Sequence, residues 1–293
     1  MALLRKFNNH LHQYMAIPAI VLFGFFFIYP LIRGVGISLT DSNGITPANF
    51  VGLQNFIDFF RDDRAMHDMM TTLWFAIGSA PLLNLFGFLY ALLLDQKMAG
   101  KGFVRAIVYL PAVISPLIMG YIWYFILQPE RGFLYHLGQN LKLEFLQGNW
   151  LGSSTSAMVL LIIVNVWQFV GMTMIIYLAG LQSIPAELYE AGRIDGAGGW
   201  KTLWNVTIPM LYPSIKINVV TNIIGSLSVF DIIVALTDGG PGYSTESLSL
   251  YIMRMQYGSF TGYSTAVALI LFLIIIIPVF LFLRLTRNKE VEM

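Results

Sequence analysis

An all-helical integral membrane protein with six transmembrane helices is the fold class this sequence predicts, and three observations carry the prediction. Hydrophobic residues make up 57% of the 293 and charged residues only 11%, with a mean hydropathy of +0.70, whereas soluble domains carry roughly a quarter charged residues. Runs of about 20 apolar residues recur along the chain, the length at which a helix crosses hydrocarbon. The alternating pattern of a membrane barrel is absent, and helices satisfy their own backbone hydrogen bonds in lipid.

The first predicted span covers 15–37. Arg5 and Lys6 precede it, as they would in a signal peptide. The apolar run is too long for one, however, and no small-residue cleavage site follows, so it reads as a retained anchor. The second span, 69–94, reads MMTTLWFAIGSAPLLNLFGFLYALLL. The third covers 104–127 and the fourth 157–181. The fifth, 210–236, is the most polar, and the sixth, 264–285, contains LILFLIIIIPVFLFL. The chain reads as a single transmembrane domain over 1–293, with a peripheral first helix and a core over 69–285.

Basic residues set the orientation. With the N-terminus inside, the cytoplasmic segments hold Arg5, Lys6, Lys97, Lys101, Arg105, Arg193, Lys201, Arg284, Arg287 and Lys289. The external segments hold only Arg33, Arg61, Arg64, Arg131, Lys142 and Arg254, and Lys216 lies near the inner end of the fifth span. This positive-inside bias predicts cytoplasmic termini and a cytoplasmic segment 182–209. The absence of cysteine excludes disulfides and thiolate chemistry. A net charge of +1 leaves no electrostatic footprint for nucleic acid.

Segment 182–209 is a polar island in an apolar chain, and its centre reads YEAGRIDGAGGWKTLWNVTIP. Pro185 suits a first helical turn, where its missing N–H costs nothing. Glu187 and Glu190 sit near the positive end of the helix dipole, and Ile184, Leu188 and Ala191 share one face. The run Asp195 to Gly199 (DGAGG) breaks the helix. Trp200, Leu203 and Trp204 then form a second apolar face before Pro209. Two readings fit this pattern: an interfacial loop anchored by tryptophans, or a short rigid helix that docks in a groove of a cytosolic protein.

Glu190-Ala191-Gly192, then Gly196, then Val206-Thr207-Ile208-Pro209 resemble the EAA loop of binding-protein-dependent ABC importer permeases, at the family spacing. Gly192 replaces an alanine of that pattern and loosens the helix by up to about 1 kcal/mol. FVGLQNFIDFF (50–60), YLPAVISPLIMGYIW (109–123), WQFVGMTMIIYLAGLQSIPAELYEAG (167–192) and LTDGGPGYSTESLSLYI (236–252) extend the resemblance over most of the chain. They narrow it to maltose-type carbohydrate permeases in the bacterial inner membrane. The resemblance implies a type I importer permease fold and, as partners, a second homologous permease, two ATP-binding cassette subunits and an external solute-binding protein. It further implies that Glu190, Ala191, Gly192 and Asp195 face the ATPase, with Gly196 making the turn and Pro209 closing the motif. On this reading the chain is not an enzyme and binds no cofactor, ATP and Mg belonging to the partner subunits, and a saccharide is the solute.

Polar groups inside spans are functional candidates, because each is costly unless it faces protein or water. The fourth span offers Asn165, Gln168 and Met172. The fifth offers Asn218, Asn222 and Ser226, spaced four apart and therefore stacked on one stripe. Thr221, Gly225 and Ser228 form a neighbouring stripe. Such residues also join transmembrane helices by hydrogen bonds; the resemblance tips Asn222 and Ser226 towards sugar contact. Asp231, near the outer end, is a candidate gate. No Walker A pattern (GxxxxGK[ST]) occurs, and His10, His12, His67 and His136 have no metal-ligand spacing. The rival readings are an ABC permease for a non-sugar solute, an ion-driven secondary carrier, which would need more intramembrane ionisable residues than Asp231, and an intramembrane enzyme, for which no catalytic pair exists.

Overall fold

The computed structural model describes residues 16–96 and 98–287. Residue 15, where the first predicted span begins, Arg5, Lys6, Lys97 and Lys289 of the charge tally, and His10 and His12 lie outside the described residues. Among the described residues the regular structure is helical, apart from an isolated antiparallel bridge between Thr40 and Phe50. The helices are α1 (Ala16–Ser38), α2 (Gln54–Arg61), α3 (Asp63–Asp95), α4 (Lys101–Val113), α5 (Pro116–Leu127), α6 (Phe133–Leu141), α7 (Ser154–Ser183), α8 (Ala186–Ile194), α9 (Gly199–Thr202), α10 (Tyr212–Leu227), α11 (Asp231–Leu236), α12 (Leu248–Tyr257) and α13 (Thr261–Thr286). Of these, α1, α3, α7 and α13 are each long and apolar enough to cross a membrane, and α4 with α5 form a further candidate span bent by 95°.

The bend divides the predicted third span, and proline is its cause. Pro116 forces the residue before it out of the helical region, and both Ile114 (ψ 137°) and Ser115 (ψ 134°) are extended. The predicted fifth span is also divided, into α10, 16 residues long, and α11, six residues long. Between them the Val229 carbonyl accepts a hydrogen bond from the buried Ser247 hydroxyl at 2.8 Å. The break therefore leaves that carbonyl paired, as a buried backbone group requires.

The chain forms two compact units, one of residues up to Asp62 with Ile252–Ile270, the other of Asp63–Tyr251 with Leu271 onwards. In the first, the Asn55 amide donates to the carbonyls of Ser38 and Thr40, each at 2.8 Å, and the Tyr263 hydroxyl donates to Asp62 at 3.1 Å. The backbone N–H of Asn49, followed by its side-chain amide, bonds the Asp41 carboxyl and holds it below the ordinary carboxylate range.

In the second unit α3 and α7 pack against each other along much of their length, and α10 lies on both. Close approach needs small residues at the crossings. At Gly171 a Cβ would collide with the backbone of Val108 and Tyr109 on α4. One buried cluster joins Ala91 and Leu94 of α3 to Met174, Tyr177, Leu178 and Leu181 of α7, with Ile184 and Leu211 beyond them.

Candidate functional site

Two sites emerge, and the first is the module over 184–209. Pro185, expected in the first turn of α8, lies one residue before it as the N-cap, with ψ 137°. The extended conformation that proline imposes on Ile184 ends α7 there. At its other end α8 closes on a glycine turn. Gly196 has φ +71°, its N–H bonds the Arg193 carbonyl at 3.1 Å, and the Ala197 N–H bonds the Gly192 carbonyl at 2.8 Å. These two bonds make a Schellman motif, which satisfies carbonyls that a helix end otherwise leaves open.

Glu190, Ala191 and Asp195 are solvent-exposed and Gly192 is half-buried. Ile194 is 86% exposed and Trp200 72%, and Trp200 and Trp204 meet edge to face with centroids 5.9 Å apart. The expected apolar faces therefore divide: Ile184 is buried in the core, while Leu188, Ala191, Trp200 and Trp204 remain on the surface. Tyr189, which the sequence reading passed over, packs against that core, and its hydroxyl lies 3.5 Å from Thr207 Oγ1. Beside it a cavity of about 490 Å³ is lined by Asp95 of α3, Arg193 of α8 and Thr202 of α9, among others. From Gly199 the helical path runs on through a π-helical turn, Leu203–Thr207, and past Pro209 into α10.

The second site is a cavity of about 210 Å³ between α7 and α10, with Leu83 of α3 at its wall. Asn165, Met172, Asn218, Asn222 and Ser226, singled out from sequence, all line it, as do Phe169, Thr173 and Thr221. Thr173 organises this wall. Its carbonyl accepts from the Asn218 amide at 3.2 Å, and its hydroxyl pairs with the Asn222 amide at 3.3–3.4 Å. Ser226 Oγ accepts from Ser79 Oγ of α3 at 2.8 Å. Asn165 differs from these: it is 7% exposed and its amide has no hydrogen-bond partner among the described residues.

The structure places Gln168 elsewhere. It is fully buried, and its amide donates to the Ile114 carbonyl at 3.0 Å, at the break between α4 and α5. Asp231 opens α11 as an exposed residue of its first turn, away from the cavity lining. Among the described residues no group of three or more His, Asp or Glu is placed to hold a metal ion.

Over residues 83–290 the chain matches the family described as binding-protein-dependent transport system inner membrane component. It is 36% identical to the multiple sugar-binding transport system permease protein MsmF of Streptococcus mutans, across 99% of this chain and 100% of that one. It is 33% identical to the probable starch degradation products transport system permease protein AmyD of Thermoanaerobacterium thermosulfurigenes, across 91% and 90% respectively. A chain of a bacterial ABC transporter that imports the acidic polysaccharide alginate shares the fold, with a TM-score of 0.82 over 98% of this chain and 99% of that one at 24% identity.

Proposed function

Because the chain belongs to the family of binding-protein-dependent transport system inner membrane components, we propose that it is one membrane-spanning half of an ATP-driven importer of sugars or oligosaccharides. The observation that carries this reading is the cavity between α7 and α10. It brings amides, hydroxyls and one aromatic ring together within the spans, the combination that recognises a polyhydroxylated ring. At about 210 Å³ it is smaller than the roughly 300–1,000 Å³ of complete small-molecule sites. A second, homologous permease completes the path from the facing side, and an external solute-binding protein delivers the sugar.

The chain is a transport subunit and not an enzyme; ATP hydrolysis, with its Mg, belongs to two cytosolic ATPase subunits. The module over 182–209 faces them, and both termini lie on the same side, a placement supported by the excess of basic residues in those segments. Exposed Ile194 and Trp200, with Glu190 and Asp195 beside them, supply an apolar knob with an acidic edge for an ATPase groove. Transport then proceeds by alternating access: closure of the ATPases moves the module, and the cavity opens to one side or the other.

The test is co-purification and sugar-dependent ATPase activity of the four-subunit complex. Glu190→Ala or Gly196→Asp is expected to release the ATPase subunits or uncouple hydrolysis from transport. If both variants assemble and transport at the original rate, the module is not the coupling element.

A further inference from the structure

The solved transporter that shares this fold imports an acidic polysaccharide, so the fold alone leaves open which charge class of sugar this chain accepts. The side chains around the cavity bear on that choice. Resting on the saccharide reading above, we infer that this chain's half of the path is built for uncharged sugars and rejects uronates and other anionic ones.

None of the described residues lining the cavity is charged. The helices that form it carry the same character well beyond the lining. Helix α7 has no Asp, Glu, Lys, Arg or His anywhere in Ser154–Ser183. On α3 the nearest charged residues to Leu83 are Asp68 and Asp95, about 18 Å or more away along the axis at 1.5 Å per residue. Both are acids and would repel an anion. Lys216 is the one cation in Tyr212–Leu227. It stands two positions from Asn218, which puts it on the opposite side of the helix from the lining stripe.

The polar groups that remain match hydroxyls and not carboxylates. Asparagine amides and the hydroxyls of serine and threonine each donate and accept, as a sugar hydroxyl does, whereas a carboxylate only accepts. Part of the donor capacity is already used, since the Asn218 and Asn222 amides both donate to Thr173. A carboxylate here would face Asn carbonyl oxygens with no cation to offset its desolvation, and a buried charge needs such a partner. A neutral pyranose instead lays its C–H face on Phe169 and offers its hydroxyls to Asn165, which lines the cavity and whose amide has no hydrogen-bond partner among the described residues.

The experiment measures equilibrium binding to the intact permease–ATPase complex without the solute-binding protein, whose own selectivity would otherwise dominate. The probes are neutral trisaccharides (maltotriose, raffinose, cellotriose) and oligouronates of equal length (trigalacturonate, trimannuronate) at pH 7. The expected result is that at least one neutral trisaccharide binds at least about tenfold more tightly than any oligouronate. Thr221→Arg, which places a cation at the exposed rim of this cavity, should shift the ratio at least about tenfold towards the uronates.

Wild-type uronate binding equal to or tighter than neutral binding overturns the charge selectivity while leaving the saccharide path intact. A Thr221→Arg ratio that does not move shows that this chain's cavity does not set the selectivity, and overturns it equally. Binding of neither class removes the saccharide reading, and this inference with it.

Discussion

Arg64 and Glu246, 182 positions apart in sequence, meet in a two-point ion pair. Arg64 Nε donates to Glu246 Oε2 at 2.9 Å and Nη2 to Oε1 at 3.0 Å, while the guanidinium carbon sits 3.6 Å from the centre of the Tyr243 ring. The carboxylate is fully buried and the arginine 29% exposed, so the two ends of the bond are not equivalent. The pair fastens the glycine-rich segment 237–247 to the start of α3.

Removing the cation takes a two-point partner from a fully buried carboxylate, and breaking a buried ion pair costs about 3–5 kcal/mol. Arg64→Ala is therefore expected to lower the thermal unfolding temperature of the detergent-solubilised protein strongly. Glu246→Gln leaves a partly exposed arginine that water can solvate, and the shift should be clearly smaller. Equal shifts would contradict the asymmetry of burial.

Gln168 completes a different bond. The helix break at Ser115–Pro116 leaves the Ile114 carbonyl without a helical donor, and the Gln168 amide supplies one. Losing it leaves a half-buried carbonyl unpaired, a penalty towards the lower end of about 1–3 kcal/mol. Gln168 Oε1 is itself buried without a partner, and its removal offsets part of that penalty. Gln168→Leu should therefore cost about 1 kcal/mol. Gln168→Glu cannot donate when ionised and should cost more; the reverse order in denaturation would show that this hydrogen bond is unimportant.

Asn165 and Asn222 should separate in a paired measurement. Asn165 holds no protein partner among the described residues, so Asn165→Ala should weaken saccharide binding about 2–10-fold, the worth of a neutral hydrogen bond of about 0.5–1.5 kcal/mol, with unfolding unchanged. Asn222→Ala also breaks the contact with Thr173 and should lower binding and stability together. An Asn165→Ala protein that unfolds earlier but binds normally would make Asn165 structural.

Two of the module's glycines, Gly192 and Gly196, should respond in opposite directions. A Cβ at Gly192 would meet only Val206 at 3.9 Å and Ala197 at 4.0 Å, ordinary van der Waals distances. Gly192→Ala is thus expected to stabilise α8 by up to about 1 kcal/mol, and to place a methyl where a Schellman motif favours an apolar contact. Gly196 has open space around it but a left-handed φ of +71°, so Gly196→Ala should cost about 1–2 kcal/mol from backbone strain alone. Hydrogen exchange of the α8 amides would report both changes.

What was legible in the sequence follows physical range. Apolar runs and the i, i+4 spacing of Asn218, Asn222 and Ser226 are local, and the cavity stripe on α10 matches them. The breaks at Pro116 and around Val229 were not anticipated, although the first follows from the residue before proline. Gln168 shares a helix with Asn165 and Met172, but at about 100° per residue it lies roughly 85° from the centre of the stripe formed by Asn165, Phe169, Met172, Thr173 and Ile176. Spacing by threes and fours was too coarse to exclude it. Thr173 as an organiser, Tyr189 as an anchor and the Arg64–Glu246 pair all depend on contacts between distant segments, to which periodicity is blind.

The tightest packing on the helical path from Gly199 to Leu227 is at Gly180 of α7, where a Cβ would collide with Leu211 and Ser214. Beyond it, Asn218 and Asn222 are tied to Thr173 of α7, and Ser226 to Ser79 of α3. Helix α10 is thus clasped along its length and cannot tilt alone. Displacement at Trp200 is either absorbed in the π-helical turn Leu203–Thr207 or carried by α3, α7 and α10 as one block, so the cavity wall travels whole instead of being pried open.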